Sequence, residues 1–314
     1  LSAAAASPSD AFVSGATSTE TAADSESGFL SDPFSAAVSD VNRDLARLQR
    51  SEKQTLIRNL AGSVHDVEAA RRLIERLADL TGHDDPAVRR DAMRETIIAA
   101  WWVEPGDQVR KRLRFYSETF GMDFVETLDE TFQIAITRDH DDAIDVQLAR
   151  LGPGVIERLN QGGRHKSAAK IAADLRRRSK DPQDATAFEQ LNLQAERYAS
   201  TQAELVRRFG SDRPLSDEPT QAGAAKLARY WALVRREWAL ALPLFPALSD
   251  AKLKEAARLE LAWRSGQVEL DREALAKLWS EAVASLTEAH QQRSIILHAE
   301  AIRGGAPVTR KPSS

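Results

Sequence analysis

Residues 84–100 read DDPAVRRDAMRETIIAA, and this stretch decides the fold class. Asp85 is a residue whose short carboxylate caps free backbone N–H groups, and Pro86 fits the first helical position, where its missing N–H costs nothing. Val88, Ala92, Thr96, Ile97 and Ala100 then recur at intervals of three and four, which places them on one face of a helix. Pro105-Gly106 closes the unit. The same period extends outward in both directions. Upstream, Leu45 and Leu48, then Leu56, Ile57 and Leu60, precede Gly62; Leu73, Ile74, Leu77 and Leu80 precede Gly82. Downstream come Val109, Leu113, Tyr116 and Phe120, then Phe124, Leu128, Phe132 and Ile136, then Ile144, Leu148 and Leu151.

Gly152-Pro153-Gly154 predicts a chain break before Val155, Ile156 and Leu159, and Gly162-Gly163 a second one. Phe188, Leu191, Ala195, Tyr198, Leu205 and Phe209 predict a long helix ended by Gly210. No alternating run of β-branched residues lies between hairpin turns. The expected fold is all-α. Helices of this length joined by short Gly, Pro or Asp turns suggest antiparallel pairs stacked as a tetratricopeptide-like α-solenoid. Alanine pairs such as Ala69-Ala70, Ala99-Ala100, Ala172-Ala173 and Ala256-Ala257 suit close helix crossings. The expected organisation is an acidic Ser/Ala-rich arm over 1–40 and a first helical part over 41–210. A linker over 211–221, a C-terminal helical part over 222–303 and a tail over 304–314 follow.

Composition narrows the function. The chain has 314 residues, 43 Lys plus Arg against 47 Asp plus Glu, and no Cys. Disulfides, thiolate zinc sites and cysteine nucleophiles are therefore excluded. No apolar run approaches the ~20 residues that span a bilayer. The charge is uneven: residues 1–42 carry six acids, ten Ser and ten Ala with no Lys or Arg, leaving +2 on the remainder. Such a stretch buries too little apolar surface to offset its ordering entropy when alone. Phe12, Phe29, Leu30 and Phe34 are its candidates for docking on a partner, so the arm is expected to order on a neighbouring subunit. The chain begins at Leu1 rather than Met, which fits removal of a signal peptide and export to the periplasm or cell surface.

Residues 226–257, KLARYWALVRREWALALPLFPALSDAKLKEAA, resemble a unit of exported helical-repeat proteins common in planctomycete bacteria. Trp238, Leu242, Pro243, Leu244, Ser249, Asp250, Leu253, Lys254 and Ala256 carry the resemblance. Leu278, Trp279 and Ala282 look like that family's next helix. Asp84 to Arg89 and Phe120 to Leu128 resemble its earlier helix starts, in the same order. The resemblance covers roughly residues 50–303 and departs at Ala241, where the family often has Gly. It implies a secreted tetratricopeptide-like array and brings no catalytic residue with it.

Three His-Asp pairs, His65-Asp66, His83-Asp84 and His140-Asp141, are the best enzymatic lead. An all-α metal phosphohydrolase would use His83, Asp84 and His140 with His65 or Asp141 to activate water. Each pair, however, stands in a turn before a helix, where Asp caps. His165, His290 and His298 lie among polar neighbours without zinc spacing. No nucleophile elbow, Walker lysine or dinucleotide fingerprint is present. Trp231, Trp238, Trp263 and Trp279 read as gap-filling core. Trp101-Trp102 differs, since adjacent helical residues cannot face one side; one of the two is expected at a surface, as an interface candidate. Together the six tryptophans leave a glycan-binding module as a further alternative. Two basic runs, Arg110-Lys111-Arg112 with Arg114 and Arg176-Arg177-Arg178 with Lys180, read as solvated faces or as a seat for the acidic arm. The expected function is a non-catalytic interaction scaffold or structural subunit. It would need no cofactor, and its partners would be protein subunits, itself included, and not nucleic acid.

Overall fold

The computed structural model describes residues 48–209 and 221–305. Phe12, Phe29, Leu30 and Phe34, the arm, all of the linker but Gln221, and the tail beyond Gly305 lie outside the described residues. Among the described residues every regular element is a helix. The first eight are α1 (Arg50–Gly62), α2 (Val67–Thr81), α3 (Pro86–Val103), α4 (Gly106–Phe120), α5 (Phe124–Thr137), α6 (Asp142–Gln161), α7 (His165–Arg178) and α8 (Pro182–Phe209). After the linker come α9 (Gln221–Arg229), a π-helical turn (Tyr230–Arg235), α10 (Trp238–Ala241) and a 3-10 turn (Leu242–Ala247). The chain then forms α11 (Ala251–Arg264), α12 (Arg272–Ala282), a 3-10 turn (Val283–Ser285) and α13 (Ala289–Arg303). The described residues from Gln49 onward belong to one compact unit.

Aspartate starts many of these helices. Asp66 accepts from Ala69 N at 2.7 Å, Asp123 from Glu126 N at 2.8 Å, Asp141 from Ile144 N at 3.1 Å and Asp250 from Leu253 N at 3.0 Å. Asp85 accepts from Ala87 N at 2.8 Å, with Pro86 at the first helical position. Each such cap satisfies a backbone donor that the first turn leaves without an intrahelical partner.

α3 is the organising element. It touches α1, α2, α4, α5 and α6, and its C-terminal stretch from Glu95 to Trp102 is buried on every side. Trp101 and Trp102 are both 2% exposed, which corrects the expectation that one faces solvent. Both indoles reach α5: Trp101 Nε1 donates to Thr131 Oγ1 at 3.2 Å and Trp102 Nε1 to the Ala135 carbonyl at 3.0 Å. Adjacent residues diverge around the helix, but here α5 spans the arc between them. The odd-numbered helices α1, α3, α5 and α7 contact one another in that order, while α2 lies along α3 and α8 along α7.

Gly152-Pro153-Gly154 does not break the chain. α6 runs through it for 20 residues. Pro153 removes the donor for the Ala149 carbonyl, yet Leu148, Gly152, Val155 and Ile156 are all buried and hold the helix in place. A Cβ on Gly152 would sit 2.3 Å from Leu175 Cδ1 and 3.2 Å from Phe188 Cε1, so this glycine serves helix approach and not a turn. Further on, His165 spans Asn160 Oδ1 and Tyr230 Oη, each at 2.9 Å, and links α6 and α7 to the π turn.

These two glycines give opposed expectations. Gly154→Ala meets open space and should raise stability by ~0.5–1 kcal/mol through helix propensity. Gly152→Ala should lower it by ~1–3 kcal/mol through overpacking. Urea midpoints of the two variants check this, and equal shifts would refute it.

Candidate interaction groove

The basic runs that look alike in sequence part company in space. Arg176 pairs with Glu189, Arg177 with Asp174, Arg178 with Asp145 at 3.4 Å, and Lys180 with Asp142. That run is neutralised along its length. In the other run, Arg112 makes a two-pronged bond to Glu104 at 2.7 and 2.8 Å. Arg110 bonds to the Gly106 carbonyl of its own helix, at 3.2 Å. Among the described residues, no carboxylate pairs with Arg110, Arg114 or Arg150.

Those three guanidiniums share a groove of about 960 Å³ between α4, α5 and α6. Arg110 and Arg114 stand one turn apart on α4, about 6 Å along the axis. Arg150 and Arg158 come from α6, Arg236 from the residue after the π turn and Arg293 from α13. Against these six cations stand Glu118, Asp123 and Glu157. Glu157 is already engaged by Arg236 and lies 4.0 Å from Arg293, while Asp123 caps α5. The groove therefore holds an excess of three positive charges. Phe124, Val125, Leu151 and Val155 give it an apolar lining, with the Arg158 guanidinium over the Phe124 ring at 5.8 Å.

Two close approaches hold its walls. A Cβ on Gly106 would lie 3.0 Å from Leu151 Cδ2, and one on Gly162 would lie 2.4 Å from Val125 Cγ1. α4 and α5 thus seat directly on α6. Arg236 is the one non-glycine residue with positive φ among the described residues, at 57°, where it ends the π turn.

The His-Asp pairs are used differently. Asp66 and Asp141 cap α2 and α6. The first and third pairs meet, with His65 Nδ1 3.2 Å from the Asp139 carbonyl and Asp141 N donating to the His65 carbonyl at 2.9 Å. His83 lies elsewhere, 2.9 Å from Lys53 Nζ. His140 has a fully buried side chain, 3.0 Å from Asp145 Oδ1. Among the described residues no three His, Asp or Glu side chains are grouped to hold a metal ion.

The motif tryptophans enclose a buried polar cluster that the sequence did not disclose. Glu260, fully buried on α11, accepts from Trp279 Nε1 at 2.6 Å, from His298 Nε2 at 2.8 Å and from Arg264 Nε at 2.9 Å. The His298 ring stacks on Trp238 at 3.8 Å. Leu242 and Leu253 are buried beside it, Leu244 is half-buried, Pro243 lies in the 3-10 turn and Asp250, after Ser249, caps α11. The available signal was spacing: Ile295, His298 and Ile302 share the apolar face of α13, and Leu253, Ala256, Ala257 and Glu260 that of α11. Burial raises the Glu260 carboxyl, but the hydrogen bond and charge of His298, then Arg264, outweigh it and leave the group below its ordinary value of 4.5.

Comparison with protein-family models, curated proteins and solved structures finds no match for this chain.

Glu260→Ala strands His298, Trp279 and Arg264 together and should cost ~3–5 kcal/mol, as loss of one member of a buried charge pair does. The depressed carboxyl also fixes the sign with pH: its contribution is present above 4.5 and lost as pH falls through the lower folded value. Urea midpoints at neutral and acid pH test both. A wild-type advantage over the variant that persists unchanged at low pH would show that Glu260 acts through packing alone.

Proposed function

We propose that the protein is a non-catalytic helical-repeat scaffold whose arginine-lined groove receives an acidic segment of a protein partner. One observation carries the reading: among the described residues no carboxylate pairs with Arg110, Arg114 or Arg150, in a groove that also offers apolar surface. Guanidinium forks match carboxylates two bonds at a time, and apolar lining beside them favours a peptide over a bare anion. The π turn that delivers Arg236 supports the same site, because such turns are frequent at functional positions. The ordered contacts of α1, α3, α5 and α7 suit a tetratricopeptide-like stack of helix pairs, a form that presents extended surfaces to partners. The resemblance to exported helical-repeat proteins adds a place for the scaffold, in an exported or cell-surface assembly.

The rivals draw less support. A phosphohydrolase would need His83 and Asp84 beside His140, with His65 or Asp141; among the described residues no such group of three forms, and His83 lies 2.9 Å from Lys53 Nζ instead. A glycan platform needs open indole faces, yet Trp101, Trp102, Trp231, Trp238 and Trp279 are buried.

The test is affinity capture from the native source with the full chain, beside Arg110→Glu/Arg114→Glu, with companions identified by mass spectrometry. The companions of the wild type should be lost from the variant. Companions retained equally by both chains would place the interaction away from the groove and end this reading.

A further inference from the structure

We propose that the occupant of the groove is the acidic N-terminal segment of a second copy of this chain, centred on Asp24 to Phe34. The inference rests on the scaffold reading above and names its partner. The groove states its own requirement: at least two carboxylates for Arg110 and Arg114, a third for Arg150, and large apolar side chains for Phe124, Leu151 and Val155. The chain carries a segment of that composition. Residues 1–42 hold six acids and no base, while the rest of the chain is net positive by two.

The order of residues fits as well as the charge. Asp24 and Glu26 are two apart, followed by Phe29 and Leu30, then Asp32 and Phe34. Residues two apart in any extended peptide fall on the same side, about 6.6 Å from each other. The matching arginines on α4 are separated by about 6 Å of helix rise. Two carboxylates so placed match the spacing of two guanidiniums, and the aromatic and leucine that follow supply large apolar side chains for the lining of the same groove. Asp32 then serves Arg150. Two facts favour a copy of this chain over an unrelated acidic protein. The segment and groove are at equal concentration by construction, and the segment has no internal cation to neutralise it.

Sedimentation velocity of the full chain over a concentration series, at low and at high salt, tests the proposal. The wild type should self-associate, less so at high salt, since exposed charge pairs are screened within about 8 Å at physiological ionic strength. Arg110→Glu/Arg114→Glu should weaken association by ~10-fold or more, and so should Asp24→Lys/Glu26→Lys, since each reverses two exposed charge pairs. Combining both reversals in one chain restores opposite charges and should recover most of the loss; circular dichroism confirms that each variant remains helical. A wild type that stays monomeric throughout overturns the proposal, as does association indifferent to either reversal or a combined variant that recovers nothing. A monomeric chain that binds a single-stranded oligonucleotide through Arg110 and Arg114 also overturns it, with nucleic acid as the occupant. The scaffold reading fails separately: it falls if captured companions ignore the groove, and it survives if they depend on the groove while the chain remains monomeric.

Discussion

A helix apolar around most of its circumference can persist in water only if other helices surround it. α3 is such a helix: Val88, Ala92, Met93, Ile97, Ile98, Ala99, Ala100, Trp101 and Trp102 are all buried, and they do not share one face. Covering them calls on α1, α2, α4, α5 and α6 at once. That demand fixes α5, whose Thr131 and Ala135 oxygens are the acceptors of the two indole N–H groups. It also brings α6 against both α3 and α5. The groove is the space these helices leave when each must satisfy α3 first. Its arginines stand where they do because the opposite faces of α4 and α6 are committed to the core.

Buried charge follows a second constraint: each deep carboxylate among the described residues is held by a cation, and three of them bond to a partner on another element. Glu95 on α3 meets Arg138 at 2.6 Å and Arg94 at 3.6 Å. Asp129 on α5 meets Arg164 at 2.8 Å and Gln133 at 2.6 Å. Glu260 meets His298, Trp279 and Arg264. Such pairs add little net stability over apolar replacements but are severe to break, so they act as registers between helices. In the C-terminal part the register carries much of the specificity, because α10 has four residues and the 3-10 turn six, too few to set their own position.

The helical class was legible because amphipathic spacing and aspartate caps are local properties, as at Asp85-Pro86 and Leu73 to Leu80. What the sequence concealed was non-local. Gly152-Pro153-Gly154 has the composition of a turn, yet its first glycine answers to Leu175 and Phe188, which arrive later in the chain. Trp101-Trp102 breaks the one-face rule only where a helix is enclosed. The π turn leaves no local mark, since Trp231 and Trp238 fall seven apart as they would on an unbroken α-helix. At the groove, the run from Arg110 to Arg114 was visible, but so was the equally basic Arg176 to Lys180. Which run keeps its charge depends on acids from α6 and α8 that only the fold brings near.

Arg236 shows a competition between backbone and side chain at a single residue. At φ 57° a glycine would rest without steric cost, whereas a side chain with a Cβ is held there against its own preference. Glycine, however, would bring no guanidinium to Glu157. The position thus exchanges local comfort for a cation, and that exchange supplies a fixed charge at the rim. Arginines on regular helices can swing among rotamers. Arg236 instead leaves a backbone locked by the Glu237 N to Trp231 carbonyl bond at 2.8 Å, so the direction in which its side chain departs is set before any partner arrives.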